Sequence, residues 1–411
     1  MHRTNFTLAF VCLFSIAGLT AHAQEFQVFD RKVQIHGFFT QGYVKTDTNN
    51  WLTMDTTDGS FAMTDMGLNL TSQITDRFRV GAQAYDYDVG QLGQWHPSLD
   101  WAVADYRFTN WLGVRAGKVK TTLGLYNDTQ DLDFLRPFAL LPQGVYPIDL
   151  RETTIAHTGG DIYGTVPLRR RFGDISYTGF IGHRSDSIYS GYPYLLTEYG
   201  IFFHSLGGLE YGADLRWNTP LKGLTIGASR MNEDITGKGQ FVDPLNPYAG
   251  LIPFQTSPRA YWTNQFYGEY LLRKLRIDTE YRRYFNKEPY IPESLVIFDS
   301  RSWYVSGAYR LSKHLELGSY YSHYTGTAVF LGAAAAFAAT ETNADLPQNH
   351  VYDKVVAGRV NINRFCYLKI EGHFMNGYGL SAYPDGFYLQ QNPSGFKPDT
   401  NALVVKTGFH F

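Results

Sequence analysis

Runs of alternating apolar and polar residues recur along the chain, and they constrain its fold more than any other feature. In residues 209–217 every odd position is apolar, whereas the even positions carry Glu, Gly, Asp and Arg. Residues 275–282, 366–374 and 403–411 alternate in the same way. A period of two with charges confined to one face predicts β-strands that have one dry side and one wet side.

The connections between the predicted strands alternate between short and long. The short ones are polar or basic, as in Arg273-Lys274 and Asn363-Arg364, and the long ones are rich in Gly, Pro, Asn and Asp. This asymmetry is typical of bacterial outer-membrane barrels, whose short turns lie on the periplasmic side. We therefore predict an all-β, transmembrane, antiparallel up-and-down barrel of about sixteen strands. They lie near residues 33–43, 60–73, 77–88, 97–108, 111–120, 156–168, 174–184, 207–218, 223–232, 260–272, 275–286, 299–311, 314–325, 350–362, 365–377 and 399–411.

The N-terminus has the features of an export signal. A short polar start with Arg3 precedes the apolar stretch Phe6–Leu19, and Ala21–Ala23 is a small-x-small cleavage site. Such a segment is removed during export. We expect residues 1–23 to be a signal peptide and residues 24–411 to form the barrel domain.

Composition agrees with an exported barrel. Removing Arg3 leaves 36 − 1 = 35 basic against 38 acidic residues, a net charge of −3, which gives no reason to expect nucleic acid as a partner. The chain is 16% aromatic with 40 glycines, yet its mean hydropathy is only −0.26. No metal-ligand spacing or nucleotide-binding glycine motif is present, so we expect no metal and no cofactor.

A barrel of this size is wide enough to leave an aqueous channel unless something fills it. Few residues separate Gln24 from the first predicted strand, so we expect no separate plug domain. The third long loop, residues 121–155, mixes apolar anchors with isolated charges such as Asp131 and Asp133. We expect this loop to fold inward and narrow the pore.

Two stretches resemble a known family. Arg115–Lys120, followed by Leu-Gly-Leu-Tyr-Asn at 123–127 and Arg-Pro-Phe at 136–138, is similar to the third-loop region of porins related to the phosphate-selective porins. Lys369–Gly377 resembles the same wider superfamily. The resemblance implies a sixteen-stranded, trimeric channel for small hydrophilic solutes or ions, narrowed by the third loop. It does not establish phosphate as the solute.

Charged residues on the predicted wet faces and in the third loop are the candidates for lining the constriction. The inferred lumen carries both signs of charge, which predicts weak ion selectivity. An alternative interpretation is that these charges pair with one another and only support the barrel or the loop. The candidates are Arg115, Asp131, Asp133, Arg136, Arg276, Arg282, Lys369 and Glu371.

The chain ends in Phe411, with apolar residues such as Phe409 at alternate positions before it. This ending resembles the signal that the bacterial barrel-assembly machinery reads. Together with the export signal, it predicts a protein of the cell outer membrane in contact with outer-membrane lipid.

Other functions remain as alternatives. A barrel hydrolase needs a nucleophile, a base and an orienting acid in reach of one another, but His323 and His373 fall on different predicted strands, so we expect no enzyme. A structural or adhesive barrel is favoured if loops fill the lumen. A fatty-acid channel would need an apolar N-terminal hatch, and residues 25–32 are half polar. The aromatic residues at 189–203 could stack on sugars or simply pack together.

Cleavage after Ala23 is the first testable expectation. Protein purified from the outer membrane should begin at Gln24, because the small side chains at Ala21 and Ala23 fit the cleavage site. N-terminal sequencing and intact mass measure this directly. An Ala23→Arg variant should retain residues 1–23, and a native protein that retains them as well contradicts the prediction.

Overall fold

Sixteen strands close into an antiparallel barrel. The computed structural model describes residues 24–28, 31–169, 171–243, 246–256, 260–288, 294–332, 335, 340, 342–379 and 386–411, so the predicted signal peptide lies outside the described residues. The barrel strands are β2 (Arg31–Thr46), β3 (Ser60–Thr75), β4 (Phe78–Val89), β5 (Ser98–Thr109), β6 (Leu112–Lys120), β7 (Ala156–Pro167), β8 (Asp174–Asp186), β9 (Ile201–Asn218), β10 (Leu224–Val242), β12 (Ala260–Leu272), β13 (Leu275–Glu288), β14 (Ser294–Arg310), β15 (Leu315–Gly332), β16 (His350–Asn361), β17 (Cys366–Asn376) and β18 (Asp399–His410).

Three short elements complete the described fold. β1 (Gln24–Val28) pairs with the start of β2, and β11 (Leu251–Gln255) pairs with the end of β10. The helix α1 (Gly191–Thr197) lies in the fourth long loop. Among the described residues, none of the helices is long and apolar enough to cross a membrane.

The barrel closes where the last strand meets the first barrel strand. β18 pairs antiparallel with β2, from Ala402 opposite Thr46 to His410 opposite Phe38. Phe411 continues the ladder, because its backbone N–H donates to the Gly37 carbonyl and its carbonyl accepts from the Gly37 N–H. A Cβ at Gly37 would lie 2.6 Å from the Phe411 ring, so only glycine leaves room for this ring. In lipid, such closure satisfies every strand's backbone groups without an open edge.

The two faces of the strands separate as the alternation predicts. On β9, Leu209 and Leu215 are 44% and 54% exposed, whereas Glu210 and Asp214 are 0% and 5% exposed. β13, β17 and β18 show the same division, so the four predicted faces are confirmed. Trp111, Trp217 and Trp303 also lie on the outer surface, where aromatic side chains form the girdles of membrane barrels.

Four strands extend farther toward the long loops than the sequence predicted. β9 begins at Ile201 and β14 at Ser294, while β10 ends at Val242 and β15 at Gly332. The extensions carry apolar side chains that pack with α1 into one buried cluster, and this packing stabilises strands beyond the membrane. The cluster comprises Tyr192, Leu196, Ile201, Phe203, Leu206, Ile235, Phe241, Phe254 and Val296.

A charge on the outer surface tests which part of the wall meets lipid. Val305 is 47% exposed and lies on the outer face of β14, five residues before the short-turn end of the strand at Arg310. Val305→Arg should destabilise the barrel by about 2–4 kcal/mol, because it places a charge in the apolar band. Thr327→Arg, on the outer face of β15 but near its loop end, should cost about 0–1 kcal/mol. Unfolding by denaturant in lipid vesicles measures both, and equal costs contradict the assigned membrane band.

Candidate functional site

The third long loop, residues 121–155, contacts side chains that point into the barrel from opposite walls. It contains three short 3-10 turns, Asn127–Thr129, Asp133–Leu135 and Arg151–Thr153. Many of its apolar side chains are buried, among them Leu123, Phe138 and Val145, and its polar groups bond to lumen-facing residues of the barrel strands. The candidate site is therefore this loop together with the wall residues that hold it.

One attachment lies on β17, where the loop meets a buried lysine and a buried glutamate. The Glu371 carboxylate accepts hydrogen bonds from the backbone N–H groups of Ala139, at 2.7 Å, and Leu140, at 3.1 Å. Lys369 Nζ donates to the carbonyl oxygens of Asp133 and Phe138, both at 2.7 Å. Both wall side chains are 0% exposed. They therefore replace the hydrogen bonds that this irregular backbone would otherwise make to water.

Asp133 ties the loop to the same wall through its side chain. Its carboxylate lies 2.8 Å from Lys369 Nζ and 3.3 Å from Lys406 Nζ, and it accepts a hydrogen bond from Tyr367 Oη at 2.7 Å. Burial raises the pKa of Asp133, but the two lysines outweigh it and bring the pKa well below its ordinary value. The carboxylate is ionised across the physiological range.

A second attachment lies at Glu280 of β13, four strands around the barrel from β17. Its carboxylate accepts hydrogen bonds from the Leu125 N–H at 3.0 Å and from Tyr146 Oη at 2.7 Å, both in the loop. Tyr304 Oη and Gln265 Nε2 donate to the same carboxylate from the wall, each at 2.6 Å. Four donors thus surround one buried acid, and two of them belong to the loop.

A third attachment joins the loop to β4 and β5. Asp131 forms an ion pair with Lys120 and accepts a hydrogen bond from Gln83 Nε2 at 2.6 Å. Arg151 Nη2 lies 2.8 Å from a carboxylate oxygen of Asp100. The loop is therefore attached near both of its ends as well as at its middle.

The Arg136 side chain forms hydrogen bonds within the third loop. Its guanidinium donates to the carbonyl oxygens of Thr129, at 3.0 Å, and Gln130, at 2.8 Å. The backbone carbonyl of Arg136 accepts in turn from Arg359 on β16 at 3.0 Å. Of the predicted constriction residues, Asp131, Asp133 and Arg136 are thus paired within or beside the loop, in line with the alternative interpretation of their charges.

The other three predicted residues are arginines of the wall, and the structure does not bring them together. Arg115 lies 3.5 Å from Asp161. Arg276 pairs with Glu269 at 2.8 Å. Arg282 donates to the Val145 carbonyl at 2.7 Å, while its buried Nε has no hydrogen-bond partner in the part of the chain that the structure describes. Whether any of the eight predicted residues lines a conducting pore stays a prediction.

Cavities lie on both sides of one stretch of the loop, residues 141–147. Toward the long loops there is a half-open cavity of about 50 Å³, lined by Tyr192, Tyr261, Arg282 and other residues. Toward the short turns there is a cavity of about 10 Å³, lined by Tyr126, Arg276 and others. Each has room for at least about one water molecule. Tyr146, held by Glu280, lies in the stretch between them.

Two other loops enter the lumen, which the sequence did not indicate. Trp51 and Leu52 of the first loop and Phe387 and Tyr388 of the eighth are at most 1% exposed. Trp51, Leu52 and Phe387 pack with Leu140 of the third loop in one cluster. Their neighbours in sequence are polar and rich in Asn, Thr and Gly, which is typical of exposed loops.

Aromatic residues of the fourth loop pack with their neighbours in the structure. The Tyr192 ring stacks on Phe203 with centroids 6.1 Å apart, and the Tyr189 ring stacks on His96 at 3.8 Å. These contacts are those of a packed loop, whereas Tyr199 and Phe202 of the same segment are 37% and 39% exposed.

One buried chain of polar side chains has the residue types of a hydrolase. Thr121 Oγ1 lies 2.9 Å from His157 Nδ1, and His157 Nε2 lies 2.9 Å from Asp161. Thr121 and His157 are 0% exposed, and Thr121 also donates to Glu210 at 2.7 Å. Because the Thr121 hydroxyl is buried, a substrate cannot reach it. These hydrogen bonds instead join the start of the third loop to the barrel wall. Across the described ranges, no group of His, Cys, Asp and Glu could hold a metal ion.

The fold is that of outer-membrane barrels. No protein-family model and no curated protein matches the chain. OmpT of Vibrio cholerae is 11% identical, with a TM-score of 0.56, over 94% of this chain and 100% of that one. The outer-membrane channel DcaP of Acinetobacter baumannii is 10% identical, with a TM-score of 0.53, over 94% and 99%. The anion-selective porin from Comamonas acidovorans is 11% identical, with a TM-score of 0.51, over 93% and 100%.

These likenesses show a porin-like fold, and the lipid-facing belt agrees with them. The predicted barrel class and the predicted location are confirmed, since the chain is a closed sixteen-stranded barrel of the outer membrane.

The contact between the third and eighth loops should depend on pH. Asp149 is buried and accepts a hydrogen bond from Tyr388 Oη. Burial raises the pKa of Asp149 to about 6, above its ordinary value of 3.8. A raised carboxyl pKa means that Asp149 favours the fold fully below pH 3.8, and that this contribution is lost as the pH rises through 6.

Asp149→Asn should therefore stabilise the barrel at pH 7.5 by about 1–3 kcal/mol and much less at pH 4. The amide keeps an oxygen that accepts from Tyr388. Denaturant unfolding at the two pH values measures the difference. Asp58→Asn, at an exposed residue of the first loop, is the matched control and should show no such pH-dependent gain. The same gain in both variants contradicts the role of burial at Asp149.

Proposed function

We propose that this chain is a porin that lets small hydrophilic solutes or ions diffuse through an aqueous pore narrowed by the third loop. The observation that carries the proposal is the loop's position: it is attached to β17, to β13 and, on the side of the barrel opposite β13, to β4, with cavities on either side of residues 141–147. A barrel of sixteen strands is wide enough for an aqueous channel, and an inserted loop reduces that width to the size of a small solute.

The narrowest part of the path is proposed to lie at Tyr146. Its ring packs with Tyr126, Val145 and Tyr304, and its hydroxyl donates to Glu280. Residues of the same stretch line the two cavities, Gln143 and Pro147 on one side and Leu141 on the other, so a solute that passes between the cavities is proposed to move past this stretch. Chain motion of residues 141–147 or displacement of the Tyr146 ring would widen the path.

Weak charge selectivity is proposed for the same path. Near the Tyr146 constriction, Arg282 has no carboxylate within 4 Å among the described residues, whereas Glu280 has no cation within that distance. Opposite charges therefore flank one narrow passage, which favours small polar solutes over ions of one sign. Anion selectivity is a property of the Comamonas acidovorans porin, and it is not carried over to this chain.

Three finer relations are also proposals. A relation to the phosphate-selective porins rests on the stretches Arg115–Lys120 and Lys369–Gly377 and their surroundings. Trimeric assembly rests on that resemblance, and one solved form of Vibrio cholerae OmpT is described as a trimer. Recognition by the barrel-assembly machinery rests on Phe409 and Phe411. The absence of enzymatic activity is a prediction as well.

A structural barrel with a filled lumen is the second candidate. It is favoured by the complete burial of Trp51, Phe387, Lys369 and Glu371, since the first, third and eighth loops together occupy much of the lumen. The two candidates differ in whether the path past Tyr146 conducts.

Single-channel recording in a planar bilayer distinguishes them. The wild-type protein should give stable conductance steps, and Tyr146→Ala should raise the step size by about twofold, because it widens the narrowest aqueous path. Tyr163→Ala is the matched control, since this tyrosine lies on β7 near the short turns and donates to Asp105 instead of the loop. Its step size should equal that of the wild type.

Two outcomes contradict the proposal. If wild-type protein with the heat-shifted gel mobility of a folded barrel gives no steps, while Tyr146→Ala conducts, the lumen is closed and the structural barrel is favoured. If neither conducts, the cavities do not belong to a path through the barrel.

A further inference from the structure

Three arginines cluster on the outside of the barrel, around a tryptophan. The guanidinium carbons of Arg230 and Arg283 each lie 5.3 Å from the centroid of the Trp262 indole ring. Arg301 and Arg283 share the carboxylate of Asp299. These five residues, on β10, β12, β13 and β14, are called the outer arginine cluster.

The cluster faces outward because its strand neighbours face the lumen. Ser229, Tyr284, Ser300 and Ser302 are all buried, and each is adjacent in sequence to an arginine or to the aspartate of the cluster. Cross-strand pairs connect the cluster directly, since Asn264 lies opposite both Arg230 and Arg283, and Arg283 lies opposite Arg301. The wall of the barrel thus separates these arginines from any solute in the lumen.

Their height coincides with the edge of the apolar band. Arg283 follows the start of β13 at Leu275, and Arg301 precedes the end of β14 at Arg310, by eight and nine residues. At about 3.3 Å per residue and a tilt of about 40°, both lie roughly 20 Å above the short turns. Apolar side chains cover the outer surface just below them, with Phe266, Tyr281 and Trp303 36–55% exposed.

The cluster carries a net positive charge that remains accessible. The Arg283 guanidinium donates two hydrogen bonds, of 2.9 and 2.8 Å, to the Asp299 carboxylate, so this pair has no net charge. Arg301 contacts the same carboxylate at 3.4 Å with a side chain that is 56% exposed. Arg230 donates to the amide oxygens of Asn232 and Asn264, and among the described residues it forms no ion pair. Three guanidinium groups against one carboxylate give a net charge of +2.

We infer that the outer arginine cluster binds a phosphorylated glycolipid of the outer leaflet. Guanidinium groups donate in a fork that matches phosphate oxygens, and an indole at the membrane boundary packs on the sugar or the acyl stem beneath the phosphate. A phosphorylated glycolipid bound at the cluster has its phosphates at the height of these arginines and its acyl chains beside Phe266 and Trp303. The inference requires only the membrane position of the barrel, and it stands whether or not the lumen conducts.

Native mass spectrometry and a lipid titration in phosphatidylcholine nanodiscs test the inference. Wild-type protein should bind bisphosphorylated lipid A, and Arg283→Gln/Arg301→Gln should weaken the binding by about fivefold or more, because each basic residue near a membrane surface contributes to anionic lipid binding. Arg79→Gln is the matched control, since it removes one exposed arginine that pairs with Asp105 instead of lying in the cluster. Its lipid affinity should equal that of the wild type. Heat-shifted gel mobility confirms that each variant is folded.

Further arms of the experiment decide the source of the phosphate. Lipid A from which both phosphates have been removed should bind weakly. Its affinity should be the same for the wild type and for the double variant. Equal binding of phosphorylated and phosphate-free lipid A to the wild type overturns the inference. So does displacement of bound lipid A by millimolar inorganic phosphate to the same extent as by added lipid A. A mass that corresponds to two protein chains, lost only in the double variant, assigns the cluster to protein–protein contact and also overturns it.

Discussion

Closure of the hydrogen-bonded ring in a solvent that offers no hydrogen bonds is the constraint on which the rest of this structure depends. Every strand between β2 and β18 must pair on both sides, because lipid cannot replace a missing partner. The pairing of Phe411 with Gly37 completes the ring at its seam. Once the ring is closed with an apolar outer face, the inner faces of sixteen strands are left to water, charges and loops.

The same rule then applies inside the barrel. An irregular loop of 35 residues, 121–155, brings many unpaired backbone groups into the lumen. The wall supplies partners for them in the form of long charged side chains, as Glu371 and Lys369 do for residues 133–140 and Glu280 does for Leu125. The loop's own charge at Asp133 is balanced by two lysines of the wall. The lumen charges are thus coupled to the loop's position, and any pore is shaped by how they hold it.

Much of the fold could be predicted from the sequence because lipid imposes a period of two on each strand. The number of strands, their faces and the short turns followed from that period and from connection length. The extensions of β9, β10, β14 and β15 could not be predicted, because beyond the membrane Phe203 and Phe241 pack on other loops instead of lipid. Such packing leaves no periodic signal that separates a strand from an aromatic-rich loop.

The site was predicted less completely, because alternation shows which face a residue is on but not its partner. Lys369 and Glu371 were correctly placed on the wet face, yet the structure buries both against the backbone of residues 133–140. Trp51 and Phe387 carried no signal at all, since single apolar residues in polar loops are common and need not be buried.

The most direct test of the loop's position is hydrogen exchange at the backbone amides of Leu125, Ala139 and Leu140, measured residue by residue in refolded protein. These amides donate to Glu280 and Glu371 and belong to no strand. If the loop is attached inside the barrel, they exchange at least a hundredfold more slowly than unprotected amides, and Glu371→Gln speeds exchange at Ala139 and Leu140 but not at Leu125. Exchange of all three at the rate of an unstructured chain would contradict the attachment and, with it, the proposed narrowing of the pore.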